Sequence, residues 1–173
     1  ECLVGSEMCI RDRRYPRGRE LYKPKNFLIK DSKYVFFGDE KSDILIITYG
    51  RLFSFACECM ERLEKQGISA CILKLNTVKP IDSGAVIGAK DFKYCFFFEE
   101  GISCGGIGEH FLCKLIENDF TGKYTLTAID DQYVEQSTVA SALKKYKLDT
   151  DGMEEVILKK IKCDGELCGK EKT

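Results

Sequence analysis

The sequence has a single histidine, almost no net charge and no long apolar run, and each of these absences bears on what the protein can be. Lys and Arg number 27 against 28 Asp and Glu, so no overall charge draws the chain to nucleic acid. No apolar stretch approaches the roughly 20 residues that span a bilayer, and we therefore predict no membrane span. His110 lies in the first turns of a predicted helix and is interpreted as structural rather than as a metal ligand.

Redox and targeting motifs are also lacking. The ten cysteines include no C-x-x-C pair and are spread over predicted helices and strands, which predicts reduced, mostly buried thiols. Cys57 and Cys59 are two apart on a predicted helix, so their side chains diverge and cannot share a metal ion. Residues 1–13 contain neither the continuous apolar core nor the cleavage site of a signal peptide, which predicts a cytoplasmic protein. We expect these 13 residues to be a leader foreign to the rest of the chain.

Short apolar runs alternate with segments of helical spacing along most of the chain. Residues 43–50 are a continuous apolar run closed by a glycine, as in a strand buried on both faces, and residues 51–66 place apolar side chains on one helical stripe. The alternation predicts a three-layer α/β/α domain with a mostly parallel sheet of about five strands. The predicted strands are 34–37, 43–50, 68–75, 93–98 and 124–129, and the later helices end near 118, 146 and 161. Strand 124–129 is predicted to be buried. The helix that ends near 118 is predicted to face inward with Phe111, Leu112, Leu115 and Ile116.

A glycine-rich loop, Gly101 to Gly108, follows one predicted strand and opens a helix. Backbone amides in such a place can hold a phosphate, but the spacing matches neither a Walker motif nor a clean dinucleotide fingerprint. A packing or interface role is therefore favoured. Glu99 and Glu100 end the preceding strand, at the edge where open α/β sheets place their sites. They are candidates for acid/base chemistry, although a solvated or salt-bridged pair is the favoured interpretation.

The segment Tyr15-Pro16-Arg17-Gly18 places an arginine after a rigid X-Pro unit. A guanidinium group held in a fixed position can bind a phosphate through two parallel hydrogen bonds. The residues alone leave a plain basic linker as the alternative.

Five segments, taken in order, resemble the carboxy-terminal part of the 1-deoxy-D-xylulose-5-phosphate synthase family. Several of them are also similar to the shared C-terminal domain of transketolases and of the β subunits of 2-oxo-acid dehydrogenases. The resemblance implies four regions: a leader (1–13), the end of a pyrimidine-binding domain with a linker (14–42), a transketolase C-terminal-like domain (43–162) and a disordered tail (163–173). The segments are RYPRG (14–18), DILIITYG (43–50), VKPID (78–82), FFEEGISCGGIG (97–108) and YKLDTDGMEEVILKKI (146–161).

The resemblance implies an enzyme that uses thiamine diphosphate and Mg²⁺ to condense decarboxylated pyruvate with glyceraldehyde 3-phosphate, giving an isoprenoid precursor. It assigns Arg17 to the phosphate of the aldehyde substrate and lets Tyr15 help frame that phosphate. The cofactor motifs of the family are not found in this sequence, so we expect them upstream. The fragment alone is then expected to bind no cofactor and to be inactive, while its C-terminal domain packs against the remaining domains and supports a homodimer.

Two departures from the family pattern keep other interpretations open. Asn76-Thr77 stands where the family usually has an arginine and an aromatic residue, and Glu135-Gln136-Ser137 stands where it has glutamate, histidine and glycine. One alternative is the C-terminal domain of a transketolase or of a 2-oxo-acid dehydrogenase β subunit. The other is a free-standing regulatory α/β module in which the loop from Gly101 to Gly108 binds a small anion.

Overall fold

The structure is a computed structural model, and it describes residues 32–165. Within this range the chain forms five strands and five helices in an α/β order, as the sequence predicts. None of these helices is long and apolar enough to cross a membrane. In chain order the elements are β1 (Tyr34–Gly38), β2 (Ile44–Tyr49), α1 (Leu52–Lys65), β3 (Cys71–Leu75), α2 (Ser83–Ala89), β4 (Tyr94–Ile102), α3 (Ile107–Glu117), β5 (Lys123–Ile129), α4 (Val139–Lys145) and α5 (Thr150–Cys163).

The five strands form one sheet in the order β1-β3-β2-β4-β5. The pairs β2–β3, β2–β4 and β4–β5 are parallel, whereas β1 runs antiparallel to β3 at the edge. The prediction of a mostly parallel sheet is therefore confirmed. From β2 the chain crosses to β3 on one side and then to β4 on the other. The strand order consequently reverses between β2 and β4, and the crevice outside their carboxyl ends is where open α/β sheets place ligands.

Strand alternation builds two cores, one on each face of the sheet. Ile44 and Ile46 of β2 face a core covered by α1 and α5, whereas Leu45 and Ile47 face a core covered by α2 and α3. Strand β4 contributes to both in the same way, because successive side chains point to opposite faces. All of these β2 residues are less than 5% exposed, which explains why the sequence of β2 is continuously apolar.

The structure differs from the sequence-based prediction in three places. Strand β4 continues to Ile102, so the first residues of the glycine-rich segment belong to the sheet. Strand β5 is an edge strand and is only half-buried. On α3, Phe111 and Leu115 are fully buried as predicted, but Ile116 is 62% exposed, so its predicted inward position is wrong.

The described chain enters the domain at the carboxyl edge of the parallel strands. Because β1 is antiparallel to β3, its first residue, Tyr34, pairs with Leu75 at the end of β3. The backbone amide of Asn76 donates to the carbonyl of Lys33 at 2.9 Å, and its side-chain Nδ2 donates to the carbonyl of Ser32 at 2.9 Å. The strand inside the predicted linker segment 14–42 is thus an integral edge of this sheet.

Candidate functional site

The crevice at the carboxyl ends of β2 and β4 is filled by the side chain of Glu99. Alternation along β4 places Glu99 on the same face as Phe97, beneath the start of α3. Glu99 is 1% exposed, which is rare for a carboxyl group and requires hydrogen-bond partners. Alternation from Phe97 gives the face of the sheet on which Glu99 lies once β4 is known to continue past Phe98, but the burial of Glu99 also requires α3 to cover that face.

Glu99 caps the amino end of α3 from the neighbouring strand. Helix α3 begins after Gly106, which has no side chain to cap it. One carboxyl oxygen, Glu99 Oε2, instead accepts hydrogen bonds from the backbone amides of Ile107 at 3.0 Å and Gly108 at 3.2 Å. It also accepts one from Tyr49 Oη at 3.3 Å, which sequence reasoning had not singled out. The amides that an external phosphate would need are therefore bound by the protein's own carboxyl group.

Burial controls the ionisation of this cluster. It raises the pKa of Glu99 above its usual value, against the opposing effect of the Ile107 and Gly108 amides and the Tyr49 hydroxyl. Burial and the neighbouring Glu99 likewise raise the pKa of Tyr49. A carboxyl group so enclosed cannot reach a substrate in the described structure. The arrangement is suited to holding the loop and α3 in place, and it does not form an acid/base pair.

Close packing explains two of the glycines in the loop. A Cβ on Gly106 would lie 2.0 Å from Glu99 Oε1, and a Cβ on Gly108 would lie 2.4 Å from Leu126 Cδ1 and 3.0 Å from Phe97 Cδ1. All three distances are shorter than an ordinary van der Waals contact of a Cβ atom. The absence of a side chain therefore lets the carboxyl group enter the crevice and lets α3 approach the sheet. These contacts agree with a packing role for the loop.

The predicted pair of carboxylates is split between two environments. Glu100 lies at the surface, where its Oε2 is 2.9 Å from Arg51 Nε, so it fits the salt-bridged interpretation. Glu99 is neither solvated nor salt-bridged to Arg51, because alternation turns it into the interior. His110 is exposed on α3, and within residues 32–165 no three metal-ligating side chains come together.

The thiols of the described region divide into two groups. Cys57, Cys59, Cys71 and Cys95 are buried, and burial raises the pKa of each to about 12. Cys104, Cys113 and Cys163 are exposed, so the prediction of mostly buried thiols holds for four of the seven described cysteines. At neutral pH the buried group remains protonated and poorly reactive.

The predicted substrate residues Arg17 and Tyr15 lie outside the described residues. The positions that depart from the family pattern are both within the described range. Asn76 ties the start of β1 to the end of β3, while Gln136 and Ser137 are exposed in the segment between β5 and α4. Asn76 thus follows β3 directly, and Gln136 and Ser137 lie in the segment that follows β5.

Two curated proteins of the same name are similar to most of this chain. A 1-deoxy-D-xylulose-5-phosphate synthase of Clostridium botulinum is 32% identical over 149 residues, which are 84% of this chain and 24% of the relative. The synthase of the same name from Bacteroides fragilis is 28% identical over 166 residues, covering 87% of this chain and 24% of the relative. This chain thus spans about a quarter of the length of these relatives.

A solved structure supports the fold. A split gene transketolase, described as an inactive beta4 tetramer, superposes with a TM-score of 0.67 at 23% identity. The superposition covers 79% of this chain and 46% of the other. Residues 34–153 also match the family described as "Transketolase, C-terminal domain", from the first residue of β1 into α5. The chain therefore belongs to the transketolase C-terminal domain family.

Proposed function

We propose that this chain is the C-terminal part of a thiamine-diphosphate-dependent 1-deoxy-D-xylulose-5-phosphate synthase, which condenses pyruvate with glyceraldehyde 3-phosphate. The observation that carries the proposal is that two curated relatives of this name match 84% and 87% of the chain, including residues before the family match begins. The proposal places the enzyme in the cytoplasm. It assigns this chain a supporting role in domain packing rather than the chemical step.

The described residues do not fit a thiamine diphosphate site. Glu99 binds the amides of α3 that a diphosphate group would use, and residues 32–165 bring no magnesium ligand set together. The proposal therefore assigns thiamine diphosphate and Mg²⁺ to the domains that make up the remaining three quarters of the relatives. The isolated chain is then inactive, and catalysis requires those domains.

Isothermal titration calorimetry on the isolated chain tests this assignment. With Mg²⁺ and thiamine diphosphate present, we expect no heat of specific binding, because neither the diphosphate nor the metal finds a site. The complete protein encoded by the gene, titrated in the same buffer, is the positive control and should also convert pyruvate and glyceraldehyde 3-phosphate. Tight, magnesium-dependent binding to the isolated chain would falsify the assignment.

The carboxyl edge of the sheet is the surface that the proposal assigns to packing against the remaining domains. Ile102, Tyr133, Val134 and Val139 are each about half exposed or more, and Tyr133 is fully exposed. Ile102 is the last residue of β4, Tyr133 and Val134 lie between β5 and α4, and Val139 is the first residue of α4. Exposed apolar side chains are typical of an interaction surface where they form a patch. Asp130 and Asp131 border them. The proposal also keeps the supporting role of this C-terminal domain in a homodimer.

Arg17 and Tyr15 keep their proposed role at the phosphate of glyceraldehyde 3-phosphate. In the complete protein, Arg17→Ala is expected to raise the KM for glyceraldehyde 3-phosphate by roughly tenfold to a hundredfold, because a hydrogen-bonded charge pair is worth about 1.5–3 kcal/mol. The KM for pyruvate should stay unchanged. Steady-state kinetics with each substrate varied in turn measures both values.

Arg14→Ala, which removes a neighbouring positive charge outside the Tyr-Pro-Arg-Gly motif, is the matched control and should leave both KM values close to those of the wild type. If both arginine variants raise the KM for glyceraldehyde 3-phosphate equally, the increase comes from the loss of positive charge in general. That result would contradict the assignment of Arg17.

A further inference from the structure

One carboxyl oxygen of Glu99 is buried without a donor. Glu99 Oε2 accepts from Tyr49 and the α3 amides, whereas Glu99 Oε1 has no hydrogen-bond partner among residues 32–165. The carbonyl oxygen of Ile102 lies close by. A Cβ built on Gly106 would be 2.0 Å from Glu99 Oε1 and 2.3 Å from the carbonyl oxygen of Ile102. Two acceptor oxygens therefore face the same small space.

A buried carboxyl oxygen beside a second acceptor is unfavourable if the carboxyl group is ionised. The carboxylate oxygen and the carbonyl oxygen then repel each other, and Glu99 Oε1 has no hydrogen bond to replace those it made with water in the unfolded chain. A proton on Glu99 Oε1 turns that oxygen into a donor toward the Ile102 carbonyl. Glu99 Oε2 can still accept from the α3 amides, so protonation satisfies both oxygens at once.

We propose that Glu99 carries a proton in the folded domain and that its Oε1–H donates to the Ile102 carbonyl, so that this proton fastens the end of β4 to the start of α3. The inference goes beyond the proposed function and does not depend on which reaction the complete enzyme catalyses. It makes the anchoring of the glycine-rich loop sensitive to pH. It also explains how a glutamate is accommodated at 1% exposure with half of its carboxyl group lacking a donor.

The groups around Glu99 come from several elements. Tyr49 of β2 and Tyr124 of β5 have raised pKa values because of burial, so both stay neutral over the relevant pH range. His110 of α3 favours the charged form of Glu99. The remaining charges are Glu109 of α3, which accepts from the Gly105 amide, and the surface ion pair of Arg51 with Glu100. Burial outweighs these groups and raises the pKa of Glu99 from the ordinary value of 4.5.

The sign of the pH effect follows from this raised pKa. In the unfolded chain the carboxyl group ionises near 4.5, while in the folded domain it keeps its proton to higher pH. The stabilisation is therefore fully present below pH 4.5 and is lost as the pH rises through the folded pKa. Over that interval the folding equilibrium constant falls by up to tenfold per pH unit from this one group.

Glu99→Gln tests the proposal, because glutamine reproduces the protonated acid with a permanent donor and an acceptor. Urea unfolding of the whole chain between pH 4 and pH 8 should show wild type and Glu99→Gln equally stable at pH 4. As the pH rises, the wild type should lose stability relative to the variant, by up to tenfold per pH unit. Glu64→Gln, at an exposed position on α1, is the matched control and should run parallel to the wild type. Repeating the series with His110→Gln removes the histidine from the surroundings of Glu99.

Nuclear magnetic resonance of the glutamate Cδ atoms in the wild type supplies a second measurement that does not require the variant to fold. One side-chain carboxyl should titrate well above the other glutamates, and that signal should be missing in Glu99→Gln. If every glutamate titrates at or below its ordinary value, Glu99 is ionised in the folded state and the proposal is overturned. A variant that is less stable than the wild type at pH 8 would overturn it equally, since the helix would then have lost a stabilising anion.

Discussion

Replacing Phe111 with alanine is expected to lower the free energy of unfolding by about 3–5 kcal/mol. Phe111 is fully buried on the inner face of α3, and its ring centroid lies 5.7 Å from that of Phe97 in the centre of the sheet. Truncation removes this aromatic contact and leaves a cavity between α3 and β4 that the surrounding strands cannot fill. Urea unfolding followed by circular dichroism measures the loss, which is a large share of the stability of an ordinary domain.

Ile116 on the same helix is the matched control. It is 62% exposed, so Ile116→Ala should change the free energy of unfolding by no more than about 0.5 kcal/mol. The two variants together test the orientation of α3, because the sequence pattern predicts both residues to face inward. Comparable losses for the two substitutions would mean that Ile116 is covered and that the helix is rotated relative to the described structure.

The order of the elements could be predicted because each one is encoded by its own residues. The run from Ile44 to Tyr49 is apolar at nearly every position, as expected for a central parallel strand, and Leu52, Ala56 and Leu63 mark the inner stripe of α1. The prediction that Ile116 faces inward is wrong, although its sequence pattern is similar. Its spacing from Leu112 fits an inward stripe, but α3 buries only the face formed by Gly108, Phe111 and Leu115.

Direction and length of strands could not be predicted in the same way. The apolar run of β1 contains no information on whether it pairs parallel or antiparallel, and only the pairing of Tyr34 with Leu75 shows that it runs against β3. Strand β4 was expected to end at Phe98 because acidic residues and glycines follow. The buried position of Glu99 depends on α3 arriving above it, which is a tertiary event rather than a local preference.

The sequence indicates where the candidate site lies but not which interactions it contains. The sequence indicates the carboxyl end of β4 and the loop that follows, and the structure brings Glu99 and the loop amides together there. What the residue types alone do not show is that the acidic side chain occupies the anion position of the loop. A glycine-rich turn before a helix can thus be complete without a ligand.

Substituting alanine for Gly106 is the second large effect that we expect, a loss of about 3 kcal/mol in the free energy of unfolding. The new Cβ would overlap Glu99 Oε1 at 2.0 Å and the Ile102 carbonyl at 2.3 Å, and the second of these atoms belongs to the backbone and cannot rotate away. Either the carboxyl group leaves the crevice, which uncaps α3, or the end of β4 shifts. Urea unfolding measures the loss, and the backbone amide signals of Ile107 and Gly108 should move because they donate to Glu99 Oε2.

Gly101→Ala separates this overlap from a general effect of removing a glycine. A Cβ on Gly101 would come no closer than 3.7 Å to Tyr49 Oη and 3.8 Å to Glu99 Cδ, which are ordinary contact distances. The variant should therefore match the wild type to within about 0.5 kcal/mol, or gain slightly from the lower entropy of its unfolded chain. If Gly106→Ala proved as stable as Gly101→Ala, the carboxyl group of Glu99 could not lie against Gly106, and α3 would need another cap.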